Sequence, residues 1–240
     1  YNRKLFFKMK TILILGGNGT LGKHLSKTLS NKFNILIYNE RFKRSEQHQT
    51  ELLRLIEERD VDFIINSVGA TNVQRCEVDE EYAYEGNILV PKVISKIQDH
   101  LSSKLGVINF STDQVYDGSG NSGELDVKPI NNYGSSKLFG EQALARNCCN
   151  LRINYVSSST SRLSFSDWII NTASSKSPVT LFTDIFFNPV DLDTITRCVE
   201  KALCENIVGT FNIGATQKIS KADFYLEFSK RLGLDNPSVT

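Results

Sequence analysis

A doubly wound parallel α/β sheet followed by a smaller C-terminal lobe is the fold class this sequence predicts. Three observations carry it. "TILIL" (11–15) is an unbroken apolar run, as expected of a parallel strand buried on both faces. It feeds directly into the glycine-rich stretch "GGNGTLG". From there, short β-rich runs alternate with helical stretches to about residue 155.

Each element has its own reason. "GTLGKHLSKTLS" reads as a helix because Leu21, Leu25 and Leu29 recur on one face. "FNILIY" (33–38) is a second strand, "TELLRLIEERD" an amphipathic helix and "VDFIIN" (61–66) a third strand. Residues 77–101 are helical, with a break expected near Pro91. "LGVINF" (105–110) is a fourth strand, "NYGSSKLFGEQALARN" a helix and "NLRIN" a fifth strand. Past residue 155 the rhythm loosens into the polar loop "SSSTSRLSFS". A helix over 166–175, a short run "PVTLF", a helix over 191–205, the strand "GTFNI" and a helix over 220–232 follow.

Composition excludes several classes. The chain has 240 residues with 28 Lys and Arg against 27 Asp and Glu, a net charge of +1. Such balance offers no basic face to nucleic acid or to a membrane surface. No apolar run approaches the roughly 20 residues of a membrane span. The opening block "YNRKLFFKMK" is too short for a signal-peptide core, and the only methionine is Met9, where the native start is expected. Cys76, Cys148, Cys149, Cys198 and Cys204 show no metal-ligand spacing and make a poor disulfide framework, which fits a reducing cytoplasm and no metal.

"GGNGTLG" carries the first chemistry. Gly17, Gly19 and Gly22 match G-x-G-x-x-G, and Gly16, Gly19 and Gly22 match G-x-x-G-x-x-G, with Thr20 and Leu21 opening the helix. Glycines here permit a tight turn and close backbone approach to a pyrophosphate, whose charge meets the N–H groups of a helix N-terminus. A glycine-rich turn without a ligand is the plainer alternative. On the first reading, residues 9–155 form a dinucleotide-binding, Rossmann-type domain. Residues 156–240 are then expected to form a smaller substrate-binding lobe. After the second strand comes "YNERFKR". Glu40 would suit the ribose 2′-hydroxyl of NAD(H), and Arg41, Lys43 and Arg44 the 2′-phosphate of NADP(H). Asn39 holds the spot where an acid is usual, and the balance favours NADP(H), Arg41 included, with NAD(H) the alternative. A solvated charged loop would look the same.

Two further features point to the same sheet edge. Ser111, Thr112, Asp113 and Gln114 end the fourth strand, and Tyr133 and Lys137 of "YGSSK" share a face of the next helix. Ligands of open α/β sheets bind beyond the carboxyl ends of the strands, where all three features converge. Reducing a ketone there needs a hydride and a proton. A phenol with an unperturbed pKa of about 10 is a poor acid at neutral pH. A nearby ammonium lowers that value. A hydroxyl from Thr112 would share the charge developing on the carbonyl oxygen.

"GGNGTLG", "NSVGATNV", "STDQVYDG" and "YGSSKLFGE" together resemble the extended short-chain dehydrogenase/reductases, and among them the dTDP-4-dehydrorhamnose reductase branch. The likeness runs from about residue 10 to 235, and more thinly after 155 through "FFNPVDLDTITRCVEKAL" and "GTFNIGATQKISKADFYLEFSKRLGL". It implies reduction of the 4-keto group of a nucleotide-linked deoxy sugar. Tyr133 would be the proton donor and Lys137 would bind the nicotinamide ribose. Thr112 would bond the reacting oxygen, with Ser111 beside it at the cofactor. Asn66, Val68, Gly69 and Ala70 would border the cofactor, and Asp113 and Gln114 the sugar. Capping bonds in a turn are the plainer reading of that last pair. The likeness also implies further elements beyond Thr240. The partner is a nucleotide sugar, and a homodimer is left open.

Gln114 separates neighbouring chemistries. Sugar-nucleotide 4,6-dehydratases resemble this chain but read Asp-Glu where it reads Asp113-Gln114. A carboxamide is neither acid nor base, so dehydration is not expected. Fucose-type epimerase-reductases use a Cys and a His. Here His24, His48 and His100 lie away from the rim motifs, and Cys76 is expected to pack a helix. A nucleotide-sugar epimerase and a non-catalytic dinucleotide-binding regulatory subunit remain the alternatives.

Overall fold

The computed structural model describes residues 8–43, 46–101, 104–144, 146–157, 164–175 and 178–234. Chain order is β1 (Thr11–Leu15), α1 (Thr20–Leu29), β2 (Asn34–Tyr38), α2 (Glu46–Arg59) and β3 (Phe63–Asn66). Next come α3 (Val73–Val78), α4 (Glu80–Tyr84), α5 (Val90–His100), β4 (Gly106–Thr112), α6 (Asn132–Ala143) and β5 (Cys148–Ile153). The last elements are α7 (Phe165–Ser175), β6 (Phe186–Phe187), α8 (Leu192–Glu205), β7 (Gly209–Ile213), β8 (Ile219–Ser220) and α9 (Lys221–Arg231).

Six strands form one sheet in the order β2-β1-β3-β4-β5-β7. β1 pairs in parallel with β2 (Leu13↔Leu36) and β3 (Leu13↔Ile64), and β3 with β4 (Ile64↔Val107). The chain leaves β1 for β2 on one side and returns to β3 on the other. That reversal is the switch point at which open α/β sheets bind ligands. Leu13, Leu15, Ile64 and Val107 pack against Leu52 and Ile56 of α2 and against Val93, Ile94 and Ile97 of α5. The alternate residues Ile12, Ile14 and Ile65 are equally buried, as are Leu21, Leu25 and Leu29 of α1.

Two sequence expectations change. The helical stretch before β4 does not break at Pro91. It breaks at Asp79, whose side chain caps α4 through the Tyr82 N–H at 2.9 Å. The irregularity before Pro91 is a π-helical turn, Glu85–Leu89, continuous with α4 and α5. In the short run "PVTLF", Val179 and Leu181 pack with Ile169 and Tyr225, and β6 pairs antiparallel with β8 at Phe187↔Ile219. "GTFNI" is a strand, but it belongs to the main sheet as β7, beside β5.

Two compact units result. One holds the described residues up to Arg152 together with Thr196–Asn212, and the other Ile153–Ile195 together with the described residues from Ile213. Residues 196–212 therefore lie with the sheet, where the sequence put everything from 156 onward in one lobe. The reason is that β7 extends the sheet at its edge. Inside the second unit, the Phe165 ring stacks on Trp168 at 5.7 Å and on Phe224 at 5.8 Å, and Tyr225 is fully buried beside them. Among the described residues, no helix is long and apolar enough to cross a membrane.

A buried ion pair ties α6 to β5. The Arg152 guanidinium donates to Glu141 Oε1 at 2.9 Å and Oε2 at 2.6 Å, and also to Tyr116 Oη and the Glu124 carbonyl, both at 2.7 Å. Arg152→Ala strands the Glu141 carboxylate and should cost about 3–5 kcal/mol. Glu141→Leu with Arg152→Met removes both charges and should cost less than that single change. Urea unfolding of the three proteins checks the order.

Candidate active site

The site begins where β1 ends. Gly16 adopts φ +79°, in the region that favours glycine, and its N–H donates to the Tyr38 carbonyl at 3.2 Å. Its carbonyl accepts from Gly19 N at 3.0 Å. A Cβ on Gly22 would collide with that same carbonyl, and one on Gly16 would meet Val68 N at 3.0 Å. Gly17 is closed off by Ile37, with Asn39 Oδ1 next nearest at 3.3 Å. Gly19 differs from all of these. Its φ of −72° suits any residue, and the nearest atom to a Cβ there is 3.4 Å away. The fold itself does not require glycine at that position. Gly19 is also the N-cap of α1, which carries no side-chain cap and no acid in its first turn. Its positive end is therefore available to an anion. Leu21 is 7% exposed, so only its backbone faces outward, beside Thr20.

The β3 loop closes against this turn. Ser67 donates to the Leu15 carbonyl from both N (3.1 Å) and Oγ (2.6 Å). Asn66 was expected at the cofactor, but its side chain is 1% exposed and committed at both ends. Oδ1 accepts from Val68 N at 3.3 Å, and Nδ2 donates to Asn109 Oδ1 at 2.8 Å. Asn66 thus shapes the loop from behind. The row continues from Asn109 Nδ2 to Asn150 Oδ1 at 2.8 Å and from Asn150 Nδ2 to Thr210 Oγ1 at 3.4 Å.

Ala70 joins the loop to the tyrosine–lysine helix. Asn87, on the π-helical turn, accepts from Ala70 N at 2.9 Å and donates to the Ala70 carbonyl at 3.1 Å and to Ser136 Oγ at 2.9 Å. Ser136 Oγ donates to the Tyr133 carbonyl at 2.8 Å. Sequence reasoning passed over Asn87; its one signal was a lone amide opening the apolar run "NILVPKVI". Tyr133 is 9% exposed and packs with Ala70, Cys76 and Ala83. Cys76 is fully buried, burial pushes its thiol up, and it packs the helix as expected.

Lys137 lies one turn below Tyr133. Its ammonium donates to the Phe110 carbonyl of β4 at 2.5 Å, and a Cβ on Gly69 would sit 4.0 Å from Nζ. Burial pulls its pKa down to about 8, against the pull of the Glu141 carboxylate upward. The strand-four cluster is divided. Thr112 Oγ1 caps the 3-10 turn Asp113–Val115, accepting from Gln114 N and donating to Asp113 Oδ1, both at 3.2 Å. Gln114 Oε1 accepts from Asn131 at 2.9 Å, and Asn131 caps α6 at Gly134 N at 2.7 Å. That carboxamide oxygen, expected at the sugar, anchors the helix bearing Tyr133. Ser111 is 5% exposed and its Oγ has no hydrogen-bond partner. Past β2, Glu40 and Lys43 are exposed, Arg41 pairs with Glu85 at 3.7 Å, and Arg44 lies outside the described residues.

These residues fit a dinucleotide. The Gly19 cradle, the uncapped helix end and the orphaned Ser111 hydroxyl make more sense with a ligand than without one. The model of the RmlD substrate binding domain family matches residues 9–240. The chain belongs to that family. It is 27% identical over 245 residues to a probable low-salt glycan biosynthesis reductase, Agl14, of Haloferax volcanii, covering 92% of this chain and 80% of the relative. The crystal structure of a dTDP-4-dehydrorhamnose reductase from Clostridium acetobutylicum is 27% identical with a TM-score of 0.82, over 96% of this chain and 82% of that one. A dTDP-4-dehydrorhamnose reductase of Bacillus anthracis, solved with NADP, has a TM-score of 0.86 over 98% of this chain and 85% of that one, at 19% identity. The last likeness speaks to the fold alone. In this RmlD-family chain, the glycine turn, the β3 loop and α6 form one connected rim.

Lys137 yields a prediction about stability. Its folded pKa of about 8 lies below the ordinary lysine value of 10.5. Between those values the unfolded chain holds a proton that the folded one has released, so stability rises with pH across that window. Lys137→Met lacks this rise. The unfolding free energy of wild type should gain on the variant between pH 8 and 10, measured by urea titration; parallel curves would contradict the buried, perturbed ammonium.

Proposed function

We propose that the protein reduces the 4-keto group of a nucleotide-linked deoxy sugar, with NADPH preferred and NADH accepted. The observation that carries this reading is the placement of Lys137. A buried ammonium is fixed at the end of β4, one helical turn from a phenol that polar anchors hold in place. When bound, the dinucleotide supplies the hydride. Tyr133 gives the proton to the carbonyl oxygen, and Lys137 lowers the cost of the phenolate left behind. Thr112 reaches the reacting oxygen if its hydroxyl turns from Asp113, and Ser111 Oγ offers a hydrogen bond on the cofactor side. Asp113 meets a sugar hydroxyl.

Family membership and the reductase names of the relatives support this class over a pure binding subunit. Inside the second unit, an apolar cleft of about 320 Å³ is walled by Phe165, Trp168, Leu181 and Phe182 with Lys221. Gln114, bonded through its carboxamide oxygen to Asn131, puts no acid or base beside Asp113 where dehydration would need a second one.

The test follows NADPH oxidation with dTDP-, UDP- and GDP-4-keto-6-deoxy sugars. Tyr133→Phe should lower turnover about 10²–10⁴-fold with little change in cofactor affinity. Lys137→Met should lower both. Near-normal turnover in Tyr133→Phe would refute the proton donor. A wild type that binds NADPH but is inactive on every keto sugar would favour the regulatory-subunit reading.

Gly19 gives a second test. Gly19→Val should melt close to wild type, because the fold leaves room for the side chain, yet should lose dinucleotide binding in calorimetric titration. Retained binding would remove the phosphate-cradle reading.

A further inference from the structure

Arg41 does not stand alone past the end of β2. Its Nη2 lies 3.7 Å from Glu85 Oε2, with the Arg41 side chain 74% exposed and that of Glu85 20% exposed. The two partners differ in freedom. Arg41 sits on an exposed coil after β2, so its long side chain can swing. Glu85 opens the π-helical turn, which is pinned from two sides. A Cβ on Gly86 would meet Ala70 Cβ and N at 2.6 Å, and Asn87 clamps Ala70 through both its N–H and its carbonyl. The backbone that carries the Glu85 carboxylate is thus held in place, beside a cation on an exposed coil. Among the described residues, Glu40 and Lys43, both exposed on the Arg41 coil, are the other charged groups on that segment.

With a pyrophosphate on the α1 N-terminus, the adenosine ribose of a dinucleotide falls at the end of the second strand. There the two nicotinamide cofactors differ in one group. NADPH carries a 2′-phosphate, which as a phosphomonoester bears about −1.5 to −2 charges at neutral pH. NADH carries a neutral hydroxyl. A 2′-phosphate reaching for Arg41 must take the guanidinium from Glu85 and then remain near that carboxylate. The hydroxyl faces neither cost.

We propose that Glu85 is a specificity-determining residue: it competes with the 2′-phosphate for Arg41 and narrows the preference for NADPH over NADH. The proposal rests on the dinucleotide reading of the glycine turn. It explains why a basic stretch such as "NERFKR" should give a mild preference and not an absolute one. Arg41 supplies the attraction and Glu85 withholds part of it. The pair is partly exposed, so the effect is modest and sensitive to salt.

The experiment titrates purified protein with NADPH and NADH separately, by calorimetry, at low and high salt. Glu85→Gln should tighten NADPH about two- to fivefold, the scale of an exposed charge pair, and leave NADH unchanged. Glu85→Ala should do the same, which separates lost charge from any new amide contact to Arg41. Arg41→Gln should weaken NADPH about tenfold and spare NADH. In the Arg41→Gln background the gain from Glu85→Gln should shrink, and in high salt it should fade. Equal shifts for both cofactors, no shift in either Glu85 variant, or full additivity with Arg41→Gln would overturn the proposal. A wild type that binds neither cofactor overturns the dinucleotide reading itself, a result distinct from wild-type binding with an unmoved preference.

Discussion

The near-contact of Gly16 with Val68 governs the rest of the site. It brings the ends of β1 and β3 within backbone distance at the point where the strand order reverses. Only a residue without a side chain, at φ +79°, fits that gap. The carbonyl of Gly16 then fixes the start of α1 through Gly19 and leaves no room for a side chain at Gly22. On the other side, Val68 sets the course of the loop to Ala70, and from there the polar contacts run on to Asn87, Ser136 and Tyr133. One tight turn aligns an anion-ready helix end with the Tyr133 phenol.

The helix bearing that phenol is held in an unusual way. The buried positions of α6 are Tyr133, Gly134, Ser136, Lys137, Gly140 and Glu141, with no aliphatic side chain among them. Close approach replaces apolar packing: Gly134 lies against the Gln114 carbonyl and Gly140 against the Asn87 carbonyl. Directional bonds do the rest, from Asn131 at the cap, Lys137 in the middle and Glu141 near the end. Apolar contacts tolerate sliding, whereas such bonds fix rotation and height together. Tyr133 and Lys137 are thereby held at a set height beside the end of β4.

Much of this was legible in the sequence, and the gaps have physical causes. β1 and α1 were readable because buried parallel strands are unbroken apolar runs and because Leu21, Leu25 and Leu29 keep helical spacing. Tyr133, Lys137 and the glycines were readable because local spacing reports them. Pro91 misled, since a proline in the first turn of a helical segment costs little there. β7 was readable as a strand but not as part of the main sheet, because an edge strand with exposed Phe211 and Asn212 carries no buried pattern. Gln114 was read by its chemistry, and its hydrogen bond turned out to decide its place. The links through Asn87 and Asn109 join residues 49 and 43 positions apart, and no local pattern encodes them.

The row from Asn66 through Asn109 and Asn150 to Thr210 has one further consequence. Every amide in it donates in the same direction, from β3 toward β7. Such a row has a polarity, and no member can be reversed or removed without stranding a neighbour inside the sheet. The three strand positions are therefore not free to drift separately. A change at Asn109 alters which residues are tolerated at Asn66 and Asn150. Sequences descended from this one would keep all three amides or exchange them together for apolar side chains.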